Sequence, residues 1–307
     1  MNGQPAVSVE KLVIAFGAFH AVDGISFRVE RGEIFGFLGA NGAGKTTTIR
    51  ALCGLLLPTA GKISVAGQDI NAGLKNIKAR VGYMSQKFTL YPTLTVRENI
   101  AFAGALRKMT PADISKRSSE LFRFTGFDRD MDEKVKNLPG GVKQIVALCA
   151  CLLHDPEIIF LDEPTAGVAP SSRALFWSLI GTLAKAGKTV FVTTHYMDEA
   201  EQCGRIALMQ AGKIIALDTP AMLKKNNFPS PFYEITPPEG DNAAFETLLT
   251  ASGAGPVQPC GLHFHLEAQN AAAWKNFCAA QEGKFTFRPV APTLEDVFLK
   301  LVGGGDK

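Results

Sequence analysis

Gly39-Ala40-Asn41-Gly42-Ala43-Gly44-Lys45-Thr46 carries the pattern GxxxxGK[ST], and Thr47 follows it. Glycines so spaced let successive backbone N–H groups converge on an anion, and a helix beginning at the lysine adds its positive end. That is chemistry for phosphates. Lys45 is expected to reach the β- and γ-phosphates of a nucleotide, and the Thr46 hydroxyl to face Mg²⁺. Further along, "IIFLDEP" sets Asp162 at the end of a short apolar run with Glu163 beside it. A carboxylate in the first position can complete a metal shell, and one in the second can polarise an attacking water.

Such groups need rigid elements to hold them. "VSVEKLVIAF" and "ISFRVERGEIFGFLG" alternate or run apolar between turn residues and predict strands. After Gly44 the pattern turns helical through "KTTTIRALCGLLLP" and should end at Pro58. "PEIIFLDEP" and "KTVFVTTH" are short apolar runs preceded by the helical "GVKQIVALCACLLHD" and "SSRALFWSLIGTLAKAG". Strands alternating with helices of this length predict a parallel sheet covered on its faces, an α/β domain. Near "KKNNFPSP", residues 224–231, helix formers give way to Asn, Pro and Ser. This divides an expected first domain, 1–225, from a small α+β unit, 226–307. In the latter we expect strands over 232–236, 262–267 and 284–288, and helices over 242–250, 271–280 and 293–302.

The bulk composition narrows the function. The 307 residues are 46% hydrophobic and 20% charged, ordinary for a globular chain with a sizeable core. A net charge of +3 is too mild and dispersed to suggest nucleic acid. The densest basic point, Lys224-Lys225, is accounted for by a solvated helix end. No apolar run approaches the roughly 18 residues a spanning helix needs. The longest, Ile145 to Leu153, predicts a buried helix. The N-terminus lacks the order of a signal peptide, so a membrane role is expected to come through a partner. Six cysteines show no CxxC pair, and most sit among apolar residues, which predicts reduced core thiols and the cytosol. His263 and His265 share a strand face without a third ligand nearby, so no metal is expected there.

Three further strings complete a resemblance. Gln86 in "GYMSQ", His195 in "TTHYMDEAE" and Phe16 in "AFG" stand in order around the phosphate loop and the Asp-Glu pair. With these, the chain resembles the nucleotide-binding subunits of ABC transporters from about Val7 to Lys225. The resemblance implies a P-loop NTPase cassette with a helical subdomain. It implies that Phe16 stacks on adenine, that Gln86 contacts Mg²⁺ and reports to a membrane subunit, and that His195 bonds the γ-phosphate and the attacking water. The tail "APTLEDVFLKLVGG", residues 291–304, and "TPAMLKK" resemble subunits serving ABC-2-type exporters.

Two motifs depart from the family's pattern. The LSGGQ-like signature, 138–144, normally closes over the phosphates of a second subunit. Here Pro139 stands for its serine, ahead of Gly140, Gly141 and Gln144, and removes a hydroxyl and an N–H. Ile145 replaces the usual arginine, and Ala169 in "AGVAP" replaces the D-loop aspartate that links the two sites. What the chain brings to its own site is intact; what it lends to a partner's is altered. The resemblance therefore implies an ATP- and Mg²⁺-dependent ATPase, energising a separate ABC-2-type permease at the cytoplasmic face of the cell membrane, in a homodimer or heterodimer. A regulatory subunit with weak activity, paired with a second cassette, is an alternative. A soluble ABC ATPase in nucleic-acid or ribosome work is a third.

Overall fold

The computed structural model describes residues 4–86, 90–238 and 242–303. Residue 304, the last of the exporter-like tail, lies outside them. The chain forms two compact units that divide between Thr219 and Pro220.

The first unit opens with a hairpin of β1 (Val7–Phe16) and β2 (Phe19–Val29), then β3 (Ile34–Leu38) and α1 (Lys45–Leu52). Next come β4 (Ala60–Val65), β5 (Gln68–Asp69), α2 (Leu74–Arg80) and β6 (Val81–Met84). A helical region follows: α3 (Val96–Leu106), α4 (Pro111–Thr125) and α5 (Gly140–Leu152), packed on one another. The unit closes with β7 (Ile158–Asp162), α6 (Pro170–Lys185), β8 (Thr189–Thr194), α7 (Met197–Ala200), β9 (Arg205–Gln210) and β10 (Lys213–Asp218).

Two sheets result. An antiparallel one runs β2-β1-β4-β5, and a six-stranded one runs β10-β9-β3-β8-β7-β6. In the second, β3 pairs parallel with both β8 and β9, and β7 with both β6 and β8; only β10 is antiparallel. Strand β3 is therefore interior, and the loop leaving its C-terminal end opens where α/β sheets bind ligands. Phe27 of β2 joins the two sheets, its ring 5.0 Å from Phe37 and 5.6 Å from Phe35, with Phe191 and Phe160 continuing the cluster. Such rings, fully desolvated, fix the strand that carries the loop.

Local chemistry accounts for several ends. Helix α3 starts in a capping box, Thr95 with Glu98. Helix α4 has Thr110 as cap, Pro111 in its first turn and Gly126 at φ 68 beyond its end. Helix α1 stops at Leu52, short of the expected Pro58. Gly54 adopts φ +66 and its N–H returns to the Ala51 carbonyl, a glycine-type ending.

The second unit contains α8 (Pro220–Asn227), β11 (Phe232–Thr236), α9 (Asn242–Ala251), β12 (Val257–Cys260), β13 (His263–Glu267), α10 (Ala271–Ala280), β14 (Thr286–Pro289) and α11 (Leu294–Gly303). Its antiparallel sheet runs β12-β13-β11-β14. Here the sequence reading is corrected at the boundary set after residue 225. Helix α8 belongs to the second unit because it packs on α11: Lys300 donates to the Asn227 carbonyl and lies 4.4 Å from the Phe228 ring centroid. Strand β12 was not expected, since Pro259 depresses strand propensity; it sits on the sheet edge, where proline is tolerated. Strand β14 begins two residues late because the Lys284 N–H turns back to Gln281. Cys53, Cys149, Cys151 and Cys203 are buried, whereas Cys260 is exposed and Cys278 half-buried. Burial pushes the Cys149 and Cys151 thiols up to about 12.

Candidate nucleotide site

The loop from Gly39 to Gly44 fits only with glycine at key points. A Cβ on Gly39 would collide with the Met209 carbonyl of β9. One on Gly44 would lie 2.5 Å from the Ala21 carbonyl, and Gly44 also takes φ +106. Ala43 is tied down from both sides, its N–H on the Ala40 carbonyl and its own carbonyl on the Gly212 N–H. Asn41, Gly42, Gly44, Lys45, Thr46 and Thr47 line a cavity of about 320 Å³ with Gln86 and Glu163. Helix α1 directs its N-terminus at this space, so free N–H groups and the helix dipole favour an anion there.

Lys45 is buried. Its Nζ donates to the carbonyls of Gly39 at 2.7 Å and Ala40 at 3.2 Å, and stands 3.3 Å from Glu163 Oε1. The other Glu163 oxygen, Oε2, accepts from Gln86 Nε2 at 2.9 Å and lies 3.3 Å from His195 Nδ1. Three of the expected residues thus meet on one carboxylate. Gln86 contacts Glu163, whereas the resemblance implied contact with a metal.

Asp162 closes β7 with Oδ1 accepting from Thr46 at 3.0 Å and from Thr193 at 2.7 Å. Its Oδ2 is buried without a hydrogen-bond partner among the described residues. Burial raises this carboxyl above the usual range, against the hydrogen bonds from Thr193 and Thr46. An unpartnered anionic oxygen beside a hydroxyl suits a hard divalent cation that keeps water and phosphate as its other ligands. The residues present therefore fit Mg²⁺.

Consecutive residues of a strand normally point to opposite faces. Glu163 escapes this because its backbone is left-handed, φ 48, immediately before Pro164. Its N–H is held by the Thr193 carbonyl at 3.1 Å and hydroxyl at 3.0 Å. The two acids can then serve neighbouring atoms of one ligand.

Phe16 does not line the cavity; Phe19 and Ala21 do. Phe16 and Phe19 pair across the β1–β2 turn and are 54% and 64% exposed, so both rings stand free at the rim. Nor do the signature residues line it. Pro139 is the N-cap of α5 and makes no side-chain cap bond. Gly141 abuts α6, where a Cβ would lie 2.6 Å from Ser172 Oγ, and Gln144 and Ile145 are buried. Ala169 is the N-cap of α6, again without a side-chain bond. Pro139 and Ala169 thus fall on helix starts, the positions where Ser and Asp are the preferred caps. Phe19 and Thr193 are the additions that sequence reasoning missed. The paired threonines ending "TVFVTT" were the available sign for Thr193, since a buried strand seldom spends hydroxyls without partners.

A larger, mainly apolar cavity of about 640 Å³ lies in the helical region, lined by Ile100, Met109, Ile114 and Phe122 among others. It shares no residue with the phosphate loop. In the second unit, His265 Nδ1 meets Asp296 at 2.6 Å and His263 Nδ1 meets Thr236 at 3.1 Å.

A phosphate-binding loop between β3 and α1, faced by Asp162 and Glu163, defines a P-loop nucleotide site. The ABC transporter family model matches residues 22–166. The chain is 35% identical to the Nod factor export ATP-binding protein I of Paraburkholderia xenovorans (strain LB400), over 98% of both chains. It is 44% identical over 222 residues to the probable multidrug ABC transporter ATP-binding protein YbhF of Escherichia coli (strain K12). That match covers 72% of this chain and 38% of the relative, so the chain spans well under half of that protein. Among solved structures, a dimeric ATP-binding cassette in a post-hydrolysis state bound to ADP and Pi superposes with a TM-score of 0.64 at 26% identity. That superposition covers 69% of this chain and 98% of the other. The chain belongs to the ATP-binding subunits of ABC transporters, a family of ATPases.

Proposed function

We propose that the chain binds Mg²⁺-ATP in the β3–α1 cleft, hydrolyses it, and thereby energises a separate ABC-2-type permease in export. The observation that carries this is the convergence of Lys45, Gln86 and His195 on Glu163, with the Thr46–Asp162 pair alongside. The loop N–H groups and Lys45 take the phosphates, and Phe19 or Phe16 offers a ring to the base. Thr46, Asp162 and Gln86 would hold Mg²⁺, which when bound draws charge from the phosphate oxygens. Glu163 orients the attacking water and takes its proton, and His195 steadies that water and the γ-phosphate. A second ATP-binding subunit, identical or not, supplies a signature helix over the cleft.

No helix among the described residues is long and apolar enough to cross a membrane. A peripheral place on the cytoplasmic face, held by the permease, follows from the reading. The small second unit and the Nod factor export relative, matched along nearly its whole length, support the export class. The test is purification of the tagged chain from detergent-solubilised membranes. A co-purifying polytopic protein together with Mg²⁺-dependent ATPase activity is expected. Recovery with ribosomes or nucleic acid, or equal membrane association in a strain lacking the permease, would refute it.

A further inference from the structure

Four residues past His195, Glu199 is 1% exposed, yet it is a carboxylate. A buried charge persists only where donors surround it. The Thr194 hydroxyl donates to its Oε2 at 2.6 Å, the Thr165 hydroxyl donates to its Oε1, and Arg173 Nε lies 3.4 Å from that same oxygen. None of these groups lines the nucleotide cavity.

The two threonines belong to the two segments that carry the chemistry. Thr165 lies two residues beyond Glu163, and the Ala166 N–H bonds the Glu163 carbonyl at 3.2 Å. Thr194 immediately precedes His195. A hydroxyl has one proton, and that of Thr194 goes to Glu199, which leaves its oxygen to accept from the Tyr196 N–H at 2.9 Å. The backbone on both sides of His195 is therefore tied to one side chain, and that side chain to one carboxylate. The Tyr196 ring sits 4.1 Å from the His195 ring and 4.0 Å from the Arg173 guanidinium, so the same group of residues also braces the imidazole. Arg173 stands in the first turn of α6, just after its N-cap Ala169, and it also reaches Asp198 at 3.5 Å.

We propose that Glu199 is a positioning residue for hydrolysis. It binds the segment after Glu163 to the segment bearing His195, and so holds the imidazole against the general base. The inference rests on the proposed ATPase function and adds to it the residue that sets the geometry of its base–histidine pair. Glu199 touches no substrate. Its effect is on where His195 stands, and nucleotide binding at the phosphate loop is independent of it.

The experiment uses the full chain labelled with ¹³C at the histidine Cε1, with the His195 cross-peak assigned by its loss in His195→Ala. In Glu199→Gln an amide donor faces a hydroxyl donor, so one of the two threonine bonds is lost at nearly constant volume. The His195 cross-peak is expected to move or split while those of His263 and His265 stay in place. Turnover is expected to fall by about ten- to a hundredfold, as for a small misplacement of a reacting group. KM for ATP should stay within about twofold, since uniform binding is untouched. Thr165→Val should do the same to a smaller extent, and Thr165→Ser should behave as the parent. If Glu199→Gln fails to fold, Thr165→Val decides on the same readouts. An unmoved His195 cross-peak overturns the proposal whatever happens to turnover, and so does a moved cross-peak with unchanged turnover. Should the parent chain lack ATPase activity, the proposed function fails, and the cross-peak alone still decides whether Glu199 positions His195.

Discussion

Lys45 Nζ lies 3.3 Å from Glu163 Oε1, with 4% and 5% of the two side chains exposed. The cation proposed to hold phosphate and the base proposed to act on water are partners in one buried ion pair. Neither can do its work while wholly engaged by the other. A γ-phosphate that draws Lys45 toward itself therefore also releases one oxygen of the base.

Lys45→Ala should abolish tight ATP binding, with affinity lower by about a hundredfold or more, as the loss of charge-assisted bonds to two phosphates implies. It should also destabilise the fold by up to about 3–5 kcal/mol, because Glu163 is left as a buried charge with, among the described residues, Gln86 and His195 beside it. Titration calorimetry and thermal unfolding measure the two effects. Unchanged affinity would end the phosphate-loop assignment.

Glu163→Gln removes the proposed base and keeps the loop. ATP binding should persist while turnover drops by about 10²–10⁴-fold, the usual contribution of a positioned base. With hydrolysis blocked, an ATP-bound dimer should accumulate in light scattering. Parental turnover in this variant would place the base elsewhere.

Pro139→Ser tests the altered signature. If the chain pairs with itself, both composite sites lack the two donors that proline removes, and turnover should be slow. Restoring them should raise activity by roughly an order of magnitude or more. The serine would also cap α5, adding about 1 kcal/mol to stability. A rise in stability without a rise in activity, with the dimer still forming, would mean that Gly140, Gly141 and the helix start suffice as they stand.

The His265–Asp296 pair predicts a pH dependence in the second unit. The hydrogen bond to Asp296 holds the His265 pKa above its ordinary value despite burial. For Asp296, burial pushes the pKa up, but the bonds from His265 and Thr293 outweigh it and leave the net value lowered. A raised histidine stabilises fully below its unfolded pKa, near 6.5, and that contribution is lost as pH rises through its higher folded value. A lowered aspartate contributes above its unfolded pKa, near 3.9, and loses this as pH falls through its lower folded value. Stability from the pair should thus be greatest in mildly acid solution and decline through neutrality. His265→Ala should cost about 1–3 kcal/mol there, since Asp296 loses a buried partner. Calorimetric scans of the full chain across this range check it; a decline of equal size in the variant would assign the dependence to other groups.

Much of the site could be read from local strings, because its parts are loops whose glycines and acids sit next to one another in the chain. Lys45, Thr46, Asp162 and Glu163 needed no long-range knowledge. Gln86 and His195 came only through the resemblance, and their shared contact with Glu163 spans strands β6, β7 and β8. Phe19 was hidden by Phe16: the two pair across the β1–β2 turn, and of them Phe19 lines the cleft. Glu199 was hidden by its type, since a charged residue on a short helix ordinarily faces water. The unit boundary was set too late because Lys224-Lys225 read as the end of a helix of the first domain, while the packing of α8 on α11 joins residues more than seventy positions apart.

The left-handed backbone at Glu163 has a cost beyond the site. A non-glycine residue there, with proline next in the chain, sits in a conformation disfavoured by about 1–2 kcal/mol. Glycine would relieve that strain, and Thr193 would still hold the backbone N–H. The same change would strip the buried Lys45 of its ion-pair partner, a loss of up to about 3–5 kcal/mol that outweighs the relief. The ion pair with Lys45 thus holds the proposed base in a conformation that the chain by itself disfavours.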